Sequence, residues 1–114
     1  GDDHLPCIVI KTKKSDEIIN LKLLTEDLSR LTKIDIKRIS IMVDYYDESA
    51  FLKSDDNLII FVYISENNPK AEIDLLCSTI ASLSERYFHK KKNSTGVICN
   101  PIRSGYFYLN GIIK

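Results

Sequence analysis

Glycine is scarce in this chain: of 114 residues only Gly1, Gly96, Gly105 and Gly111 are glycine, and positions 2 to 95 hold none. A loop that cradles phosphate with backbone N–H groups needs residues without a Cβ at its tight turns. So neither a P-loop nor a dinucleotide-binding fingerprint exists here. Net charge is absent too, with 16 basic residues against 16 acidic ones. The broad cationic field of a dedicated duplex binder is therefore missing. No apolar run approaches the roughly 20 residues that span a bilayer. The polar start Gly1-Asp2-Asp3-His4 lacks the basic-then-apolar order of a signal peptide. No membrane association is expected.

The three cysteines, Cys7, Cys77 and Cys99, cannot all pair and form no CxxC clip. Reduced, buried thiols and a cytoplasmic setting are expected. His4 and His89 are the only histidines, too few and too far apart for a zinc site. The sequence thus predicts no metal and no cofactor. No local pattern gives a Ser/His/Asp arrangement or an acid/base pair. Cys7, flanked by apolar residues, reads as an inert thiol, and Asp55-Asp56 and Glu85-Arg86 read as exposed surface.

What is present suits one domain. Apolar residues make up 44% of the chain and seventeen of them are isoleucine, enough for one core and weighted towards sheet. Cys7-Ile8-Val9-Ile10 reads as a buried strand. Ile18, Leu21, Leu24, Leu28 and Leu31 recur at helical spacing, with Ser15 or Asp16 as the cap. Ile39, Ile41 and Val43 alternate with polar neighbours and Met42, a second strand that ends near Tyr45-Tyr46. Leu58 to Ile64 is continuously apolar and reads as a central strand. Beyond the breaker cluster Ser65 to Pro69, Ile73, Leu76, Cys77, Ile80, Leu83 and Tyr87 predict a second helix. It ends in His89-Lys90-Lys91-Lys92, cations that complement a helix C-terminus, with Asn93 as the stop. Gly96 to Cys99 and Tyr106 to Leu109 read as short strands.

The fold class is α/β (α+β). Tandem β-α-β units form a four-stranded mixed sheet with two helices on one face, plus a short C-terminal strand. The other face then needs a cover: a ligand, a nucleic acid or another subunit. Gly105-Tyr106-Phe107-Tyr108-Leu109 is faintly like the aromatic strand of RNA-recognition sheets. There the basic residue directly precedes the glycine, whereas here Ser104 stands between Arg103 and Gly105. Packing is the better reading of that segment, and a nucleic-acid partner is not expected.

Pro6 is the most informative residue. Leu5-Pro6-Cys7-Ile8-Val9-Ile10-Lys11-Thr12 resembles the opening of the macrophage migration inhibitory factor and D-dopachrome tautomerase family, in the tautomerase superfamily. Ile39 to Val43 resembles that family's second strand. Ala50-Phe51 with Ser54 is similar to its Ala-Phe-Gly-Gly-Ser segment, and Leu75 to Arg86 to its second helix, with a gap. Asn110-Gly111 sits where family members carry Asn-Gly or Asn-Asn after an aromatic. Order and spacing, from Pro6 almost to the end, carry the likeness.

The resemblance implies a homotrimer in which neighbouring subunits cover the open sheet faces and the tail Tyr106 to Tyr108 pairs with an adjacent subunit. It implies keto–enol tautomerisation of phenylpyruvate- or dopachrome-like substrates, small aromatic keto acids. Pro6 would be the base, Lys33 would hold the substrate carboxylate, and Ser65 would bind substrate beside it. A protein receptor and leaderless secretion belong to the same expectation. Residues 1–5 read as an N-terminal extension or a cloning remnant, and residues 6–114 as a single tautomerase-like domain.

Several positions depart from the family pattern. An internal proline has an amide nitrogen, so Pro6 is a base only once it is the N-terminus. The ungapped position of the family lysine falls on Ile34, one residue after Lys33, and the pocket tyrosine falls on Val97. The usual CxxC position is occupied by Leu58 to Phe61, and the Gly-rich loops are replaced by Leu52-Lys53 and Glu66-Asn67-Asn68. Weakened or lost activity follows. Two rival readings stand beside the tautomerase: a non-catalytic, cytokine-like interaction protein on the same fold, and a ferredoxin-like domain whose open sheet binds a ligand or RNA.

Overall fold

The computed structural model describes residues 4–51 and 57–114. Residues 1–3 of the expected extension, Leu52-Lys53, Ser54 and Asp55-Asp56 lie outside the described residues. Strand β1 spans Cys7–Lys13, helix α1 Leu21–Thr32, β2 Ser40–Tyr46, β3 Ile59–Ser65, helix α2 Lys70–Tyr87 and β4 Gly96–Ile102. Two short strands follow, β5 at Tyr108–Leu109 and β6 at Ile112–Ile113.

The main sheet has the order β2-β1-β3-β4. β1 and β2 are parallel, β3 and β4 are parallel, and β1 runs antiparallel to β3. Each helix thus joins two adjacent parallel strands, the short crossover expected of a β-α-β unit. This adjacency removes the ferredoxin-like rival, in which a further strand splits each unit.

Side chains of successive strand residues point to opposite faces. Ile8 and Ile10 of β1 and Ile60, Val62 and Ile64 of β3 face the helices and are at most 1% exposed. Leu24 and Leu28 of α1 meet them, with Leu76, Ile80 and Leu83 of α2, in one core cluster. Burying each such side chain contributes about 1.5–3 kcal/mol. That gain fixes the strand register, because a one-residue slip would turn every isoleucine to the wrong face.

The opposite face is uncovered. Met42, Val9, Phe61 and Ile98 stand in register across all four strands as one apolar row, and Met42 and Ile98 are more than half exposed. The continuous apolar run of β3 thus has one buried face and one open face within a single chain. β4 is an edge strand, which tolerates Pro101 because a missing N–H on the outer side costs no ladder bond.

Four local expectations are corrected. Helix α1 starts at Leu21, with the Asn20 side chain accepting the Leu23 N–H at 3.0 Å. Ser15 accepts the Glu17 N–H in a turn instead, and Ile18 lies before the helix, 96% exposed. The cysteines are half-buried and free, not fully buried. Glu85 is 7% exposed, not a surface residue. It accepts backbone N–H bonds from Asn93, Ser94 and Thr95, each 3.0 Å long. Finally, the expected C-terminal strand is half of a hairpin: Asn110 and Gly111, with φ of 52° and 81°, turn β5 into β6. Both central residues at positive φ define the two-residue turn that matches strand twist.

Candidate functional site

The antiparallel β1–β3 pairing brings the start of β1 beside the ends of β3 and β4. There a cavity of about 310 Å³ is lined by Leu5, Cys7, Tyr63, Ile102, Tyr106 and Phe107, together with His4 and Ser40. A second cavity of about 40 Å³ shares Leu5, Ile102 and Phe107 and adds Ser65, Arg103 and Lys114. One end of the sheet thus carries an apolar hollow with phenol groups beside a small cationic one.

Pro6 is fully buried and is itself in the wall of neither cavity. Its carbonyl accepts the Ser40 N–H at 3.1 Å, which ties the start of β1 to the start of β2. A cis peptide bond joins it to Leu5, itself 5% exposed. The Pro6 nitrogen in this form is a tertiary amide, with neither a proton nor basicity.

Ser65 ends β3 opposite Ile102. Its hydroxyl oxygen accepts the Asn67 N–H at 3.3 Å, and its carbonyl accepts from the Asn68 backbone and side chain at 3.2 and 3.0 Å. These bonds close the Ser65 to Pro69 turn, in which a side-chain oxygen and an amide stand in for the absent glycines. Ser65 is in the wall of the smaller cavity.

Lys33 is elsewhere. It caps the end of α1 in the left-handed region at φ 64°, its N–H bonded to Ser29. Its side chain is exposed and lines neither cavity. Val97 packs against the core on the helix side. The phenol groups at the cavity come from Tyr63 and Tyr106. Tyr63, Arg103, Tyr106 and Lys114 are the site residues that the sequence did not single out for this role. Among the described residues no three His, Cys, Asp or Glu side chains group to hold a metal.

Two displaced titrating groups lie away from this end. Tyr87 donates to Asp27 at 2.6 Å, joining α2 to α1. That bond, helped by Arg30, holds the Asp27 carboxyl below its usual range, and the same bond raises the Tyr87 phenol.

No protein-family model and no curated protein matches the chain. Solved structures do. A fused 4-OT asymmetric trimer is similar with a TM-score of 0.81 at 12% identity, covering 95% of each chain. The crystal structure of Pt0534 inactivated by 2-oxo-3-pentynoate gives 0.80 at 10% identity, over 94% of each chain. This is the tautomerase-superfamily fold. Macrophage migration inhibitory factor from Toxoplasma gondii shares it at a TM-score of 0.69 and 11% identity, over 96% of this chain and 100% of that one. At such identities the likeness lies in the backbone path. Within the tautomerase fold, Pro6 opens β1 and Ser65 closes β3 at one end of the sheet. No helix among the described residues is long and apolar enough to cross a membrane.

Proposed function

We propose that this chain is a self-associating tautomerase-fold protein whose pocket, at the start of β1, takes a small aromatic keto acid. Keto–enol transfer there depends on Pro6 being released as an N-terminal amine. Cleavage of the Leu5–Pro6 bond releases it. A secondary amine in apolar surroundings loses affinity for its proton, so it is neutral near pH 7 and accepts a proton from the carbon beside a ketone. Tyr63 and Tyr106 offer O–H donors to the developing enolate oxygen, the charge that the transition state must stabilise.

The observation that carries the reading is the meeting of Pro6, two phenols and a cationic corner at one end of a tautomerase fold. The row Met42, Val9, Phe61 and Ile98 supports a homotrimer, because an apolar face of this size is normally buried against another subunit. Trimeric assembly is recorded for the fused 4-OT structure. Cytoplasmic residence, in keeping with three free thiols, belongs to the same proposal.

While residues 1–5 remain attached, the buried Leu5–Pro6 amide favours a binding protein without the proline base, the non-catalytic reading. Phenylpyruvate enolisation, followed by ultraviolet absorbance, separates the two. The chain starting at Pro6 should enolise the substrate, and its Pro6→Gly variant and the full chain should not. Equal rates for the first two would remove the proline mechanism.

A further inference from the structure

Among the described residues the 310 Å³ cavity has no lysine or arginine in its wall. A keto acid placed there needs a cation for its carboxylate, because an unpaired buried charge is expensive. Lys33 does not reach the cavity. Arg103 stands next door, one residue beyond the end of β4.

Three features hold Arg103 at that corner. The carbonyl of Ile102 accepts the Glu66 N–H at 2.9 Å, which ties the end of β4 to the turn after β3. The Arg103 carbonyl accepts the Tyr106 N–H at 3.2 Å, closing a turn through Gly105 at φ +91°, where a side chain would strain the backbone. The guanidinium lies over the Tyr106 ring, 4.7 Å from its centre, and Tyr106 itself lines the larger cavity. Stacking of this kind fixes the plane of the fork while leaving its N–H donors free.

The hairpin brings a second cation. Gly105 and Phe107 donate their N–H groups to the Lys114 carbonyl at 2.7 and 3.3 Å, and Lys114 returns its own to Phe107 at 2.6 Å. Lys114 thus lines the small cavity beside Arg103 and Ser65, and among the described residues no acidic side chain lines it with them. The Ser65 oxygen accepts from Asn67, so its proton is available to an acceptor in the cavity.

We propose that Arg103, supported by Lys114 and the Ser65 hydroxyl, is the subsite that holds the carboxylate of the ligand, in the role that the resemblance gave to Lys33. Arg103 binds and positions; it takes no part in proton transfer. The ligand class rests on the keto acid reading above, and the charge preference does not.

Calorimetric titration of the full chain with 3-phenylpropanoate and with its neutral amide, 3-phenylpropanamide, tests the subsite without requiring activity. The carboxylate should bind at least tenfold more tightly than the amide. Arg103→Ala should erase that preference, weakening the carboxylate on the order of ten- to a hundredfold as expected for a lost charge-assisted bond, and leave the amide within twofold. Arg103→Lys should restore part of it, and Lys33→Ala should change neither probe. The proposal falls if the unaltered chain binds neither probe or both equally. It also falls if Arg103→Ala weakens both together, or if Lys33→Ala removes the preference. A chain starting at Pro6 that fails to enolise phenylpyruvate, with the charge preference intact, would remove the tautomerase reading and leave the subsite standing.

Discussion

Replacing Glu85 should be among the most damaging single changes away from the candidate site. Its carboxylate accepts three backbone N–H groups, one on Oε1 from Asn93 and two on Oε2 from Ser94 and Thr95, each at 3.0 Å. Those donors belong to the segment between α2 and β4, which has no strand partner of its own until Gly96. Hydrogen bonds to a charged group contribute about 1.5–3 kcal/mol each in favourable cases. Three on one carboxylate are not additive, so Glu85→Ala should cost about 3–4 kcal/mol, the range in which a removed buried ion leaves its partners unsatisfied. Glu85→Gln keeps one carbonyl oxygen for Ser94 and Thr95 and turns an NH₂ towards the Asn93 N–H. Its cost should be about 2 kcal/mol.

The pH dependence separates this account from simple packing. Burial works to raise the Glu85 pKa, but the polar groups of Asn93, Ser94 and Thr95 outweigh it and hold the carboxyl below its ordinary 4.5. A carboxyl depressed on folding contributes stability that is fully present above the unfolded value and lost as pH falls through the folded one. Urea unfolding at fixed protein concentration, followed by circular dichroism, should show the wild-type advantage over Glu85→Gln constant from pH 8 to 5. It should then shrink as pH drops below 4.5. A difference under about 0.5 kcal/mol at pH 7, or one that persists unchanged to pH 2, would refute the clamp.

Two further outcomes follow from the same structure. Ile98→Glu, on the open face and 51% exposed, should leave the core intact but place a charge in the expected subunit contact. Light scattering should then report one chain of 13.1 kDa instead of about three, and an unchanged mass would rule that face out as the contact. Burial, with Cys99 close by, pushes the Cys77 thiol up to about 11. At pH 8 its alkylation by iodoacetamide, measured by peptide mass, should run on the order of a hundredfold slower than that of a free thiol; equal rates would contradict the burial.

The elements legible in the sequence are those whose local pattern and tertiary packing agree. In α2, Ile73, Leu76, Ile80 and Leu83 follow helical spacing and all face the core. The run around β3 is apolar at every position from Leu58 to Ile64, and its inward residues Ile60, Val62 and Ile64 are buried against the helices. Helix α1 shows where pattern alone misleads. Ile18 fits the helical period, yet the Asn20 side chain takes the cap and leaves Ile18 in solvent. Glu85 was illegible because its partners are backbone N–H groups eight to ten residues away, and a backbone amide has no letter in a sequence. Lys33 was placed by its distance along the chain. A left-handed cap at the end of α1 turns the residue outward, and spacing does not encode that turn. Arg103 and Lys114 are far apart from Ser65 in the chain and meet it only through strand pairing and the hairpin.

Leu5 connects these observations. It is the residue just before the candidate base and it is buried at 5% exposure. It lines both cavities at this end of the sheet. While it is present, it holds the Pro6 nitrogen as an amide. Its burial stabilises the fold by about 1.5–3 kcal/mol. Removal gives up that stability and turns the nitrogen into an amine. The base then lies at the same end of the sheet as the phenols and the cationic corner, the groups that a keto acid requires at its α-carbon, its ketone and its carboxylate. A single residue thus sets the stability of the fold against the release of the base, which is why activity and stability should change in opposite directions at this position.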